Sequence, residues 1–247
     1  MSVLPVPDLL TMRRILCVQP HPDDGDIGCG GTLARLTEAG AEVIYLTVTD
    51  GAAGTDDPYM EALTLRTLRR IEQEDALKTL GIATTKLVWF DEQDGYLKDT
   101  FALRDRIILE IRSLRPDCVL TVDPWLPYEA HNDHRVAGLA TAQAVFFANT
   151  PKIASWSGFS PHPVPAIGFY FTHRPNTFID VSPYWTRKMS AIQCHKSQFS
   201  QQMWSQYEAF FAAQARQWAK GRGYAQAEAF KVLTPQHLHC FPDTEQI

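Results

Sequence analysis

The chain is 247 residues long, 45% apolar and 21% charged. That is the make-up of an ordinary globular protein, not of a disordered, collagen-like or coiled-coil chain. Its 23 basic against 28 acidic residues leave a formal charge of −5, which argues against the broadly basic surface that binds nucleic acid nonspecifically.

Five cysteines, Cys17, Cys29, Cys118, Cys194 and Cys240, form no CxxC pair. A disulfide framework and a thiolate zinc site are therefore not expected. The N-terminal stretch MSVLPVPDLLTMRRILCV has no long apolar run behind basic residues, so it does not read as a secretory leader. No stretch approaches the roughly 18 apolar residues of a membrane span. A cytoplasmic protein of one domain, residues 1–247, is the expectation.

Along the chain, RILCVQ at 14–19 reads as a buried strand ending at Pro20. GTLARLTEAG at 31–40 reads as a helix stopped by Gly40. EVIYLTVT at 42–49 is β-branched and runs into the Asp50-Gly51 turn. Residues 60–80 place Leu63, Leu68, Ile71, Ala76, Leu77 and Leu80 at helical spacing, and Gly81 closes that helix. KLVWF at 86–90 reads as a third strand, 101–114 as a helix stopped by Pro116, and DCVLTV at 117–122 as a fourth strand. Residues 150–165 hold four prolines and read as a loop or lid. One or two strands at 166–181 and a largely helical 183–220 complete the reading. Strands alternating with helices predict an α/β fold, a mostly parallel sheet with helices on both faces. In such sheets ligands lie beyond the C-terminal strand ends. The loops at 20–31, 50–58, 91–99 and 123–134 should therefore meet at one mouth.

Two of those loops carry chemistry. The first reads Pro20-His21-Pro22-Asp23-Asp24-Gly25-Asp26, one imidazole and three carboxylates in six residues. Neighbouring side chains on an irregular loop point apart, so one of Asp23 and Asp24 can ligate a metal while the other faces an attacking water. A helix-capping Asx turn accounts for the same acids. The second loop reads His131-Asn132-Asp133-His134. On a helix His131 and His134 are one turn apart. Alternatively these are only polar residues at a helix start, with Asp133 at its positive end. Two histidines and an aspartate, with the fourth position left to water, make a catalytic rather than a structural zinc site. The overlapping Asp26-Ile27-Gly28-Cys29-Gly30-Gly31, with Asp50 beyond, also reads as the glycine loop of a methyltransferase-like nucleotide binder. That reading needs a strand running into Asp26, and His21-Pro22 has already ended it.

HPDD with GCGGTLARL, then LTVTDG, then HNDH, resembles the LmbE/PIG-L family of zinc-dependent N-acetylglucosaminyl deacetylases. Further matches are Arg69 to Glu72 with Leu80-Gly81, Asp94-Gly95, Pro175-Asn176-Thr177-Phe178 with Asp180, and His195-Lys196-Ser197-Gln198. The resemblance spans about residues 14–200. It implies a Rossmann-like fold, one zinc ion (iron or cobalt as substitutes) and hydrolysis of the acetyl amide of a GlcNAc-type sugar or conjugate. It implies His21, Asp24 and His134 as metal ligands and Asp23 as general base. His131, held by Asp133, is implied as acid or oxyanion partner, and Arg69, Asp94 and His195 as substrate neighbours. Relatives usually carry Glu where this chain has Gly25, so either Asp26 takes over part of that role or the loop is rewired. The departure also leaves room for a non-catalytic sugar- or metal-binding relative. A small soluble substrate is expected rather than a membrane glycolipid or a polyanion, with Trp125 or Trp156 of the 150–165 lid against the sugar ring. Oligomeric state stays open.

Overall fold

The structure, a computed structural model, describes residues 4–247. The first three residues of the N-terminal stretch read above lie outside the described residues. The first half alternates β1 (Arg14–Gln19), α1 (Asp24–Glu38), β2 (Glu42–Thr49), α2 (Ala62–Leu80), β3 (Leu87–Glu92), α3 (Thr100–Leu114), β4 (Cys118–Val122) and α4 (Asn132–Phe147). Then come β5 (Ala166–Tyr170), β6 (Thr177–Asp180), α5 (Trp185–Ile192), α6 (Trp204–Ala219) and β7 (Ala227–Leu233). The seven strands lie in the order β3-β2-β1-β4-β5-β7-β6. β1 to β5 are parallel, and β7 runs antiparallel to both its neighbours.

The side-chain period of two sorts each strand onto two cores. Ile15 and Cys17 of β1 face Cys29, Leu33 and Leu36 of α1 and Ala76, Leu77 and Leu80 of α2. Leu16 and Val18 face Leu103, Ile107 and Ile111 of α3 and Ala137, Ala140 and Ala144 of α4. Both faces of the sheet are thus covered, as the near-continuous apolar strands anticipated.

α1 starts seven residues earlier than its apolar pattern, so the glycine-rich segment is helix and not a phosphate-cradling loop. A Cβ on Gly28 would stand 2.2 Å from Cδ2 of Tyr170 on β5. The helix can lie this close to the sheet only without a side chain there. The Glu228 carboxylate of β7 accepts from the N–H groups of Gly31 (2.9 Å) and Thr32 (2.7 Å) farther along α1.

The 150–165 segment is a loop, but not a lid over the mouth. α4 starts at the mouth and runs about 24 Å at 1.5 Å per residue, delivering the chain to the opposite edge of the sheet. There Arg112, near the end of α3, holds the carbonyls of Ala148, Thr150, Ile153 and Ala154. Nε2 of His162 lies 2.9 Å from the Pro116 carbonyl. Trp156 therefore lies far from the sugar site expected of it, while Trp125, on the β4–α4 loop, stays on the mouth's side and stands edge-on to Phe169.

Candidate active site

The order in which the chain lays down its strands reverses between β1 and β4, which are parallel, hydrogen-bonded neighbours. α1 leaves β1 toward one face and α4 leaves β4 toward the other. The crevice this opens at the C-terminal strand ends is where such sheets bind ligands. The loops after β1, β2, β3 and β4 meet there. Asp94 after β3 accepts from the Ala53 N–H after β2 (3.0 Å). Asp133 at the start of α4 accepts from Gly95 N–H (2.7 Å) and Leu97 N–H (3.1 Å).

His21, Asp24 and His134 present ligand atoms within 4.8 Å of one another. His21 Nδ1 is 3.2 Å from Asp24 Oδ2, and His134 Nε2 is 3.4 Å from Asp24 Oδ1. His21, His131 and Asp133 form a second such group. Around His21 stand three carboxylates, with Asp94 and Asp133 at 3.3 and 3.4 Å from Nε2. Burial alone would keep His21 neutral, yet hydrogen bonds to Asp133, Asp24 and Asp94 outweigh it and hold its pKa well above the ordinary value. Burial would raise the Asp24 carboxyl, but His134 and His21 outweigh it and hold it far below the usual carboxylate range. The pocket favours positive charge at its centre, and its two-nitrogen, one-oxygen donor set suits Zn2+.

Asp23 sits beside this group with φ 128°, a conformation non-glycine residues rarely adopt. Such strain persists only where the surroundings over-determine it. Here Arg69, itself buried, donates Nη2 to the Pro22 carbonyl (2.7 Å) and lies 3.2 Å from Asp23 Oδ2, while its Nη1 reaches the Gly51 carbonyl. Burial, opposed by Arg69, pushes the Asp23 carboxyl up to about 6. His131 precedes α4, with its ring 4.5 Å from that of His21 and 5.2 Å from that of His134. Burial and those two imidazoles hold its pKa below the ordinary value, so at neutral pH it is an uncharged imidazole with one N–H to donate. Asp133 makes no hydrogen bond to His131 among the described residues. Its oxygens are taken by the 95–97 backbone and His21, so the anchor expected for His131 serves His21 instead.

Asp94 lies between His21 Nε2 and Arg69 Nη1, the latter at 3.9 Å. His195 lies beneath the pocket, fully buried, with Nε2 2.8 Å from Asp26 Oδ2. Asp26 also accepts from Gln73 Nε2 (2.8 Å) and the Tyr45 hydroxyl (2.9 Å). Glu72 accepts from the Ser197 N–H (2.8 Å) and hydroxyl (2.6 Å), which fixes the segment carrying His195. The space at Gly25 is filled by the same network. A Cβ there would stand 2.9 Å from Tyr45 Cε1 and 3.0 Å from both Cys17 Sγ and Gln19 Oε1. Gly25→Glu is therefore expected to destabilise this chain, by about 1–3 kcal/mol for overpacking before the cost of burying another carboxylate. A thermal melt checks it, and an unchanged melting temperature would contradict this account of Gly25.

Sequence reasoning passed over Glu129. Its Oε2 is 3.2 Å from His134 Nδ1 and its Oε1 accepts from the His131 N–H at 2.8 Å. The signal was an acid five residues before a candidate ligand histidine, which is weak in a loop of unknown conformation. Beside His134 and Glu129 opens a cavity of roughly 370 Å³, with Phe171, Trp185, Phe210 and Trp218 in its wall. The Lys188–Glu228 ion pair (2.6 Å) also borders it.

The PIG-L family model, described as GlcNAc-PI de-N-acetylase, matches residues 16–145. The chain is 40% identical over 235 residues to the diacetylchitobiose deacetylase of Thermococcus kodakarensis, covering 94% of this chain and 87% of that protein. It is 26% identical over 193 residues to the probable N-acetyl-alpha-D-glucosaminyl L-malate deacetylase 2 of Bacillus cereus, covering 75% and 84% of the two chains. The structure of N,N'-diacetylchitobiose deacetylase from Pyrococcus horikoshii, complexed with its inhibitor MPG, matches with a TM-score of 0.91 at 34% identity. That match covers 96% of this chain and 89% of that one.

Proposed function

The chain belongs to the PIG-L family, and from that premise we propose that it is a zinc-dependent N-deacetylase that removes the acetyl group of a GlcNAc-type sugar or conjugate. The observation that carries the reading is the His21–Asp24–His134 group with the buried Asp23 held beside it by Arg69. His21, Asp24 and His134 would hold the metal, which when bound activates water and polarises the acyl oxygen. Asp23 takes the proton of the attacking water. Arg69 keeps that carboxylate aimed, and its fixed charge keeps the base ionised near neutral pH. His131, uncharged, donates its N–H to the oxyanion as the amide carbon becomes tetrahedral. The proton then passes from Asp23 to the leaving nitrogen, and the products are acetate and a free amine. Asp94 and His195 border this machinery, with His195 acting from beneath through Asp26.

The aromatic cavity beside His134 is the reading's seat for the sugar, because pyranose rings present apolar faces to aromatic side chains. Gln214, Thr172 and Glu129 also line it and can bond hydroxyls. No helix among the described residues is long and apolar enough to cross a membrane. The net charge of −5 gives no general attraction to an anionic bilayer. We therefore favour a small soluble substrate in the cytoplasm over a glycolipid.

The test is one experiment with two readouts. Protein purified without added metal is expected to carry about one equivalent of zinc. It is expected to release acetate from N-acetylglucosamine or its disaccharide faster than from a GlcNAc-phosphatidylinositol in detergent. Turnover of the lipid alone would overturn the substrate reading, and metal-free activity would overturn the mechanism.

A further inference from the structure

We propose that Glu129 is a positioning residue, the carboxylate that fixes the tautomer of His134 and ties the His131 backbone to the same point. The inference rests on the reading of His134 as a metal ligand. A neutral imidazole carries one proton, and the nitrogen without it is the one that ligates. Glu129 Oε2 stands 3.2 Å from His134 Nδ1. Its negative charge there favours the proton on Nδ1 and leaves the lone pair on Nε2, the nitrogen 3.4 Å from Asp24 Oδ1. The other oxygen, Oε1, accepts from the His131 N–H at 2.8 Å. A single side chain thus fixes the ring of one active-site histidine and the backbone of another.

The loop is shaped for this. Tyr128 is fully exposed with φ 66°, a left-handed conformation that a tyrosine does not favour. The Glu129 N–H closes a turn on the Leu126 carbonyl at 3.2 Å. This reversal turns the Glu129 side chain inward while Tyr128 stays in solvent. The counterpart for His21 is Asp133, whose Oδ2 lies 3.4 Å from Nε2.

Partners of this kind are worth about 10–100-fold in metal affinity. The apo-proteins of the wild type, Glu129→Ala, Glu129→Gln and His134→Ala are titrated with Zn2+ against a chromogenic chelator. Absorption spectra with Co2+ report the ligand geometry. Glu129→Ala is expected to weaken Zn2+ binding by about 10–100-fold and to alter the Co2+ spectrum, while the apo-protein keeps its melting temperature. Glu129→Gln accepts only one of the two N–H groups and is expected to fall between Ala and the wild type. It also carries the test should the Ala variant not fold. Wild-type affinity and spectrum in both Glu129 variants, with metal lost from His134→Ala, would overturn the role of Glu129 alone. Wild-type affinity in His134→Ala would overturn the ligand reading beneath it.

Discussion

Asp23→Asn is expected to keep the fold and the metal while lowering kcat by about 10²–10⁴, the usual worth of a positioned proton acceptor. Asparagine matches aspartate in shape and tolerates positive φ better than most residues, so the strained turn at φ 128° survives. Arg69 keeps its bonds to the Pro22 and Gly51 carbonyls, which hold the loop without the carboxylate. Only basicity is removed. Acetate release and metal analysis on the same sample check the prediction. Loss of metal in this variant would mean that Asp23 and Asp24 have exchanged roles.

His134→Ala is expected to lose both metal and activity, well beyond the about 10–100-fold that loss of an outer partner costs. It removes one of three ligand side chains and leaves Asp24 without the imidazole that holds its charge. The comparison that decides is His131→Ala, because His21 belongs to two candidate groups, one with Asp24 and His134, the other with His131 and Asp133. Geometry favours the first, since both Asp133 oxygens already accept from backbone N–H groups. His131→Ala is thus expected to retain metal and to lose about 10²–10³ in kcat, the worth of an oxyanion donor. Metal lost from His131→Ala and kept in His134→Ala would reverse the assignment.

β1, β2 and the helices α2 and α3 were legible because each carries its own period and its own stop, as Gly81 does after α2. β7 was not. AEAFKVL is rich in residues without strand preference, and its burial depends on partners distant in sequence. Glu228 accepts from N–H groups of α1, and Lys231 reaches the Glu245 and Ile247 carbonyls. The family motifs were legible too, but several of their residues build rather than react. Asn176 bonds the Val232 N–H and carbonyl of β7, and Glu72 clasps Ser197.

By itself the sequence determined the alternation of elements, and with it the parallel sheet. It also determined that His21, Asp23, Asp24, His131 and His134 would meet at one edge, since residues that follow parallel strands must emerge together. Tertiary structure alone decided which neighbour each of those groups faces. It sent Asp133 to His21 and not to His131, put Glu129 on His134, filled the space at Gly25 with Tyr45 and Gln19, and carried residues 150–165 to the far edge. Partners at hydrogen-bond distance are set by strand order, helix length and loop curvature, and no spacing of residues along the chain encodes those distances.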